Sequence, residues 1–417
     1  MTDTDRFSAK IVERYIELGL AVGRHIEGFV DAYYGPPELA NRVRAEPIRT
    51  PDELVFEAKA LLGAIDAGEP LEDSEGSSEE SSKRRRWIRA QVLGVLTTAR
   101  VLSGESIPYS DEVESCYGVR PRRMDESAIV ASHRDLDEVV PGSGLLADRL
   151  IEWREAQAIP PDKLKSVIGS LKEDLRERTA KLFGLPDGES VEFEFVANKP
   201  WAGFNYYLGD LKSRVAINLD LPVLSTTVAH LVAHESYPGH HTEHSRKEVG
   251  LVRKRRWGEE SIFLVGTPQC LVSEGLADLG LEIVFGRRPE RVINEHLRPL
   301  GISYDPDVVA VIAEATEAQS AIRNEAALRL HEDRIDPETV TQEVERFALL
   351  PRQRAAKLVE FLVDSTWRGY MTCYVEGLPL CRDFVNGRPD RFERLISEQI
   401  TTADLTETGA AHAVSSS

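Results

Sequence analysis

Five of the ten histidines in this 417-residue chain lie within one short stretch, and they are the residues best suited to chemistry. They are His230, His234, His240, His241 and His244. Histidine is the commonest metal ligand in proteins and also exchanges protons near neutral pH. Glu235 directly follows the second of them, and a His-Glu pair on a helix is typical of sites where histidine binds zinc and glutamate acts as general base. The stretch therefore predicts a metal site with a proton-transfer residue beside it.

The motif around Glu235 departs from the usual His-Glu-x-x-His helix, because the fourth position after His234 is Pro238. On a regular helix His240 would lie about 240° around from His234, on the wrong face. Proline ends or kinks a helix, and Gly239 permits unusual backbone angles, so a break here can swing His240 back. We therefore predict a bent chain in which His234 and His240 are metal ligands.

Two other uses of the histidines stay open. His230 and His234 lie one helical turn apart and can form a metal pair without any break. His241 can replace His240 as a ligand, and the chain can also lack a metal altogether. Outside a metal site, His230 would be a packed, hydrogen-bonded residue on an apolar helix, and His244 would lie on the surface.

A third ligand is expected from a later helix. Glu274 shares one helix face with Asp278 and Glu282, at intervals of four residues. Three acids on one face of an otherwise apolar helix are unusual for a solvated surface. We predict that Glu274 binds the metal and that Asp278 holds a ligating histidine by its second ring nitrogen. His241 is a second candidate for a supporting position around the ligands.

Aromatic and basic residues elsewhere are candidates for contact with a substrate. Tyr370 and Tyr374 share a helix face, and one hydroxyl can donate to the oxyanion of a tetrahedral intermediate. Ordinary packing explains the same spacing equally well. Arg368 can bind a substrate carboxylate in fork geometry. Tyr206 and Tyr207 complete the set of candidate substrate contacts.

The central motif resembles the signature of a bacterial family of zincin-like proteins known as domain of unknown function 885. The usual family pattern is H-E-x-x-P-G-H-H, followed later by E-G-W-A. This chain matches it at positions 234–241 and 274–277, with Leu276 where the family prefers tryptophan. That departure leaves the proposed ligands intact. The resemblance implies a helical metallohydrolase related to gluzincin peptidases, and it does not supply a substrate.

Weaker similarities to the same family extend over most of the chain. The opening segment at positions 15–39 fits the family pattern, as does the Tyr206-Tyr207 region. Tyr374, followed by Gly377, resembles the C-terminal tyrosine motif of the family. The resemblance therefore favours Tyr374 over its neighbour as the catalytic tyrosine.

The spacing of apolar residues predicts a mainly helical fold. Helices are expected at 8–33, 51–66, 83–102, 124–139, 142–158 and 160–183, and from Ser225 onwards. Residues 191–196 alternate apolar and acidic side chains, as a half-buried strand does, and 214–219 form a second strand candidate. Residues 201–207 between them are expected to form an aromatic turn.

These elements combine into one helical zincin-like catalytic domain at 1–402 with a small β-sheet beside the active-site cleft. The β region is expected at 186–222 and the metal-binding helices at 223–285. The acidic, serine-rich stretch at 67–82 is predicted to be an exposed loop, and 403–417 a flexible tail.

Composition narrows the function classes. The formal charge of −19 argues against nucleic acid and against an anionic membrane surface as partners. No signal-like segment opens the chain and no run of about 18 apolar residues occurs, which predicts a cytoplasmic protein. The four scattered cysteines are expected to be reduced, with Cys270 and Cys373 as packing residues.

The function expected from these residues is that of a zinc-dependent hydrolase, most simply a peptidase. One zinc ion would be held by His234, His240 and Glu274, with Glu235 as general base. A peptide or amide substrate is expected to pair with the strand at 214–219. Two alternatives remain, a hydrolase of a non-peptide amide or ester and a non-catalytic binding protein on a degenerate scaffold. The sequence leaves open the substrate, endo- or exo-cleavage, the native metal and the oligomeric state.

Overall fold

The computed structural model describes residues 10–71, 78–199, 201–364 and 367–406. The fold is mainly α with two small sheets, as predicted. The helices of the first half are α1 (Ile11–Val22), α2 (Pro37–Ala45), α3 (Pro51–Asp66), α4 (Ser78–Leu102), α5 (Tyr109–Tyr117), α6 (Glu126–Val139), α7 (Leu146–Ala156) and α8 (Pro161–Phe183).

The second half is built almost entirely from helices. These are α9 (Val228–Glu235), α10 (His240–Lys247), α11 (Pro268–Phe285), α12 (Glu290–Leu297), α13 (Pro306–Gln319), α14 (Ile322–His331), α15 (Pro337–Ala348), α16 (Arg352–Val363), α17 (Met371–Val385) and α18 (Pro389–Leu395). A π-helical segment, Glu248–Lys254, continues directly from α10. Among the described residues, none of these helices is both long and apolar enough to cross a bilayer.

Within the described residues, five strands form two separate sheets. They are β1 (Val30–Tyr33), β2 (Ser190–Val196), β3 (Gly203–Gly209), β4 (Lys212–Asn218) and β5 (Ile262–Leu264). In the three-stranded sheet β4 is central, parallel to β2 and antiparallel to β3. In the other sheet β1 and β5 pair antiparallel. The predicted strands are thus confirmed, and three further strands, β1, β3 and β5, were not predicted from the periodicity.

The helix predicted at 8–33 is wrong beyond Val22. The chain turns at residues 23–29 and enters β1, whose partner β5 lies more than 200 residues later. The prediction of a turn at 201–207 is also wrong, since β3 occupies most of it and is rich in the aromatic residues that favour strands. The actual turn follows β3, where Asp210 and Leu211 both have positive φ, as in a tight hairpin.

The predictions of a loop and a tail need smaller corrections. Helix α4 begins at Ser78, so 78–82 are helical, and the Glu79 carboxylate pairs with Lys83 one turn on. Residues 72–77 lie outside the described residues. At the other end residues 402–406 are helical and Leu405 is only 1% exposed, so this side chain packs on the core while Ala403 and Thr406 are exposed. Residues 407–417 also lie outside the described residues.

Helix α11 is the central element of the site-bearing half. Nearly all of its residues are buried, which is the pattern of a helix surrounded by protein on every side. It packs against α17 along most of its length and also contacts α9. All four cysteines are buried and free, and Cys270 and Cys373 lie in the apolar core as predicted. A helix so enclosed has no solvent to hydrate a charged side chain, so any acid on it needs a partner.

Candidate metal centre

The predicted break between the two histidines is present. Helix α9 ends at Glu235, the Tyr237-Pro238 peptide is cis, and α10 begins at His240. A Cβ atom on Gly239 would lie 2.0 Å from the backbone oxygen of His234, so only glycine allows the chain to fold back this closely. The consequence is that His240 faces the end of α9 instead of pointing away from it.

Three predicted ligands meet at this break. The Nε2 atoms of His234 and His240 lie 3.1 Å apart. Glu274, on α11, places Oε2 3.3 Å from Nε2 of His234 and Oε1 3.9 Å from Nε2 of His240. All three side chains are largely buried. One nitrogen from each ring and one carboxylate therefore converge on a single small volume.

The hydrogen bonds around His234 fix which nitrogen is free. Its Nδ1 lies 2.8 Å from Oδ1 of Asp278, and because a carboxylate only accepts, Nδ1 carries the proton. Nε2 of the neutral ring then presents a lone pair to the cluster. Burial alone would lower the pKa of His234, but the carboxylates of Asp278 and Glu274 outweigh burial and raise it. The cluster thus favours a positive charge at this position, either a second proton on the ring or a bound cation in its place.

A second chain of hydrogen bonds orients His240. Its Nδ1 lies 3.1 Å from Oγ of Ser273, which itself donates to the carboxylate of Glu243. Because the Ser273 proton is used in that bond, the serine oxygen accepts from Nδ1 of His240. Lys247 forms a buried ion pair with Glu243 at 2.8 Å. Nε2 of neutral His240 therefore also presents a lone pair to the cluster.

The cluster fits a divalent metal by three independent features. Two lone pairs face each other across 3.1 Å, with no proton of the neutral rings between them. Oε2 of Glu274 is buried and lies 3.3 Å from Nε2 of His234, a nitrogen that has no proton to donate in the neutral ring, and a buried carboxylate oxygen without a donor is costly. Two histidines and one glutamate are also a ligand set that zinc hydrolases use. The residues present are suited to one zinc ion.

The cluster opens into a small cavity of about 60 Å³. Glu235, at the end of α9, and Asp31, from β1, line it together with Glu274. Among the residues that line it there is neither lysine nor arginine. Burial, with the nearby carboxylates of Glu274 and Glu235, raises the pKa of Asp31 to about 7. The cavity therefore brings three carboxyl groups to one wall of the protein interior.

Glu235 has the position and environment of a general base. Burial raises the pKa of its carboxyl group, although His234 and His240 partly oppose that rise. Gly203 of β3 lies against it, since a Cβ at that position would be 3.0 Å from Oε1 of Glu235. The missing side chain of Gly203 leaves room for the strand to approach the carboxylate. A base with a raised pKa beside a polar cavity is suited to accept and return a proton.

Two tyrosines, Tyr370 and Tyr374, also line the cavity. The hydroxyl of Tyr370 donates to Oε1 of Glu274 at 2.8 Å, and the hydroxyls of Tyr370 and Tyr374 lie 3.0 Å apart. Because the Tyr370 proton is used on Glu274, Tyr374 is the donor in the pair. Burial and then Glu274 raise both pKa values well above the ordinary 10, so both groups keep their protons. Tyr374 therefore holds the proton that is able to turn towards the cavity.

The alternative pair of ligands, His230 and His234, also lies close to an acidic side chain. His230, His234 and Asp278 have potential ligand atoms close together, with Nε2 of His230 3.5 Å from Oδ1 of Asp278. The His230 side chain is 47% exposed, so it is not the packed residue expected for it outside a metal site. His230 does not line the cavity that contains Glu235. Only the cluster with His240 and Glu274 shares its space with a candidate general base.

Several predicted site residues lie elsewhere. His241 is fully buried on the opposite side of α10, with its two ring nitrogens bonded to Ser213 and Glu189, so it does not support the ligands. The Arg368 guanidinium is paired with Glu112 and does not line the cavity. Burial and engagement with these partners leave neither side chain available to the cluster.

The two tyrosines of β3 are also outside the cavity. Tyr207 is buried and its hydroxyl donates to Glu248, while Tyr206 packs under the guanidinium of Arg214. The same strand instead lines the cavity with the preceding residues, Gly203, Phe204 and Asn205. The sequence prediction thus pointed to the correct segment, which it expected to be a turn, and selected the wrong residues within it.

The strand expected to receive substrate is also different. Strand β4 is paired on both sides and has no free edge for another strand. Strand β3 is at the edge of the sheet and lines the cavity. If an extended chain pairs with this sheet beside the cluster, the geometry assigns the pairing to β3.

Four residues of the site were not recognised as such from the sequence. Asp31, Asn205, Ser273 and His244 gave no periodic signal, and only the nearness of Ser273 to Glu274 pointed to it. His244, expected on the surface, is buried between Tyr207 and Phe263, and burial lowers its pKa to about 3. Its ring is therefore neutral and acts as a packing group beside the cluster.

Comparisons with known proteins inform the fold alone. No family model matches the chain, so membership of the family that its motifs resemble stays a prediction. No curated protein matches either. A solved structure of a "putative lipoprotein" from Colwellia psychrerythraea is similar with a TM-score of 0.52 and 15% identity, over 88% of this chain and 70% of that one. The two proteins share an overall fold.

A second solved structure aligns over a greater length. It is a "putative lipoprotein of unknown function" from Shewanella oneidensis, with a TM-score of 0.46 and 12% identity over 99% of this chain and 84% of that one. Likeness at this level says nothing about chemistry. Any function must be inferred from the site.

Proposed function

We propose that the protein is a zinc-dependent hydrolase that cleaves peptide bonds. The observation that carries the proposal is the cluster itself. Two oriented imidazole lone pairs and an unpartnered carboxylate oxygen of Glu274 converge beside the free carboxyl group of Glu235. Buried polar groups are almost always satisfied, and those left unsatisfied in one place indicate an absent ligand.

The ligand role is assigned to His234, His240 and Glu274. Asp278 and Ser273 hold the two rings by their Nδ1 atoms, which fixes their orientation and leaves both Nε2 atoms for the metal. A zinc ion bound there supplies Lewis acidity, which makes water more acidic and a carbonyl group more electrophilic. The native metal and a cytoplasmic location for the protein stay predictions.

Glu235 handles the proton in this proposal. Its carboxylate accepts a proton from the attacking water and returns it to the leaving amine. Burial favours the neutral form of the carboxyl group and so makes the carboxylate a stronger base. The side chain lies at the end of α9, one residue from His234, so the break in the helix positions ligand and base together.

Tyr374 stabilises the oxyanion in this proposal. Its hydroxyl donates to Tyr370 in the resting state and needs only a rotation to donate into the cavity. Tyr370 stays bonded to Glu274 and positions that carboxylate. A donor aimed at developing negative charge contributes most in a buried site of this kind.

A peptide fits the cavity wall better than a compact ester. Strand β3 is an edge strand whose first residues line the cavity, so its backbone can pair with an extended chain. Nothing specific in the site favours a non-peptide amide or ester, and an intact base argues against a purely binding role. Hydrolysis of peptides is therefore the activity that the geometry supports best.

The test combines metal content with turnover. Purified protein should bind one equivalent of zinc by elemental analysis and should cleave members of a mixed peptide library. Glu235→Gln keeps the shape of the side chain and removes the base. It should retain zinc and lose activity by about a hundredfold or more. Exposed Glu155 on α7 offers a matched control, because Glu155→Gln makes the same change away from the cavity.

Two results would contradict the proposal. Protein that binds no zinc even after reconstitution would remove the metal centre. Zinc-loaded protein that cleaves model esters but no peptide would move the activity to another substrate class. Near-normal turnover of Glu235→Gln would mean that another group is the base.

A further inference from the structure

Strand β1 carries an irregularity at Asp31. In its pairing with β5, Val30 lies opposite Leu264 and Ala32 opposite Phe263, so Asp31 is the extra residue of a bulge. Bulges change the direction of a side chain and are frequent beside functional sites. Asp31 and Phe263 both line the cavity of the metal cluster. The local backbone thus presents this carboxyl group to the site.

The lining of the cavity is acidic. Asp31, Glu235 and Glu274 all line it, and no lysine or arginine does so among the residues described there. Such a lining favours a cationic group on the substrate over an anionic one. A cleft lined by one sign of charge attracts ligands of the other sign.

A second, independent acceptor belongs to a residue that lines the same cavity. The side-chain amide of Asn205 donates from Nδ2 to the backbone oxygen of Glu235 at 2.5 Å. Because that oxygen only accepts, the orientation of the amide is fixed. Its Oδ1 is left buried with no hydrogen-bond partner, in a residue that is 7% exposed and lines the cavity. Asn205 therefore offers a buried acceptor that the protein itself does not use.

We propose that Asp31 and Oδ1 of Asn205 bind the free α-ammonium group of the substrate, so that the protein is an aminopeptidase. An ammonium group has three N–H donors and no acceptor, which suits a carboxylate together with an amide oxygen. It also carries the positive charge that an acidic lining favours. An N-terminus held here lies in the same cavity as Glu235 and the cluster, which directs cleavage to the first peptide bond.

This inference rests on the proposed function, but it can be tested by binding alone. The zinc-loaded Glu235→Gln protein serves as the background, because it should bind peptide without turning it over. Calorimetry would compare a tetrapeptide that has a free N-terminus with its N-acetylated twin. Loss of charge-assisted hydrogen bonds should make the acetylated peptide bind about 10- to 100-fold more weakly.

The variants assign that preference to one side chain. Asp31→Asn in the same background should reduce the preference to within about threefold. Asp31→Glu, which keeps the charge, should restore part of it. Asp135→Asn, the same change at an exposed position on α6, should leave it intact. Zinc content should be unchanged in all of these variants.

The possible outcomes separate the two proposals. Equal binding of both peptides, or a preference that survives Asp31→Asn, overturns the aminopeptidase inference. Loss of zinc in Asp31→Asn also overturns it, by making Asp31 a ligand. If the free peptide binds with the expected preference but the wild-type protein cleaves neither peptide, ammonium recognition stands and the hydrolase proposal fails. If the wild-type protein instead cleaves both peptides without preference, the hydrolase proposal stands and the aminopeptidase inference fails.

Discussion

His240 and His241 are neighbours on α10, yet they belong to clusters of opposite kinds. The metal cluster consists of His234, His240 and Glu274. The structural cluster surrounds His241, whose ring nitrogens lie 2.8 Å from Oγ of Ser213 and 2.9 Å from Oε2 of Glu189. Both clusters are buried and rich in charge. Only the first contains polar atoms that the described residues leave without partners.

Glu189 shows what a completed cluster looks like. Its carboxylate accepts from His241, Tyr237 and Arg176, so each oxygen has a partner. Glu274 accepts from Tyr370 on one oxygen, whereas its other oxygen lies 3.3 Å from Nε2 of His234, which has no proton to donate when the ring is neutral. The difference teaches that burial of a histidine and a carboxylate does not itself mark a functional site. A functional site is indicated by a donor or acceptor that the fold holds in place and leaves without a partner.

The largest expected effect is on zinc affinity, and it should differ between alanine substitutions of the neighbouring residues His240 and His241. His240→Ala should lower zinc affinity by well over a hundredfold, more than the loss of a residue that only supports a ligand. His241→Ala should keep zinc affinity unchanged and lower the free energy of unfolding by about 3 kcal/mol, because it leaves a buried carboxylate short of a partner. Zinc titration with a competing chelator and urea denaturation measure the two effects.

The reverse pattern would break the comparison. If His241→Ala lost zinc and His240→Ala did not, the ligand would be His241. If both kept zinc and His230→Ala lost it, the rival cluster of His230, His234 and Asp278 would be the metal centre.

The next largest effect is on kcat, and it should differ between removal of the Tyr374 hydroxyl and removal of the Tyr237 hydroxyl. Tyr374→Phe removes the proposed oxyanion donor and should lower kcat about a hundredfold with little change in stability. Tyr237→Phe removes a hydroxyl that donates to buried Glu189 and should lower the free energy of unfolding by about 2 kcal/mol. It should leave kcat nearly unchanged. Steady-state kinetics on a peptide substrate and urea denaturation check the pair, and equal kcat losses would remove Tyr374 from the mechanism.

A smaller effect is expected from the carboxylate that holds His234. Asp278→Asn should weaken zinc binding about 10- to 100-fold, because the ring loses its anionic hydrogen-bond acceptor. The matched change Glu189→Gln, beside His241, should not alter zinc affinity. A chelator titration of both variants decides the matter, and unchanged affinity in Asp278→Asn would show that the aspartate does not support the ligand.

The smallest effect is the pH dependence of the structural cluster. Burial would raise the pKa of Glu189, but hydrogen bonds from His241 and Tyr237 outweigh burial and lower it from the ordinary 4.5 to about 2. A carboxyl group with a lowered native pKa stabilises the fold fully above its unfolded pKa and loses that contribution as pH falls. Stability from Glu189 should thus decline between about pH 4.5 and 2.

Glu189→Gln tests that dependence directly. The variant should be less stable at neutral pH and should lose less stability than the wild type across the acid window. Urea denaturation at a series of pH values measures both curves. Parallel curves would mean that Glu189 does not carry this part of the acid sensitivity.

Local sequence was sufficient for much of the helical framework. Helix α3 illustrates why, since Thr50 and Glu53 form a capping box and Pro51 occupies the first turn. The helix break was also predictable, because Pro238 and Gly239 act on their own backbone. By contrast, β1 was predicted as helix, since its pairing with β5 depends on residues far away in the chain.

The sequence by itself determined the residue types of the candidate centre and the bend that unites His234 with His240. Those features depend on neighbours within a turn or two of the chain. Tertiary structure alone decided that His241 faces Glu189 and that Asp31 and Asn205 face the cavity. Each of these directions depends on elements distant in sequence. Periodicity records which side of an element is buried, whereas the packing of several elements decides which buried group has a partner and which is left for a ligand.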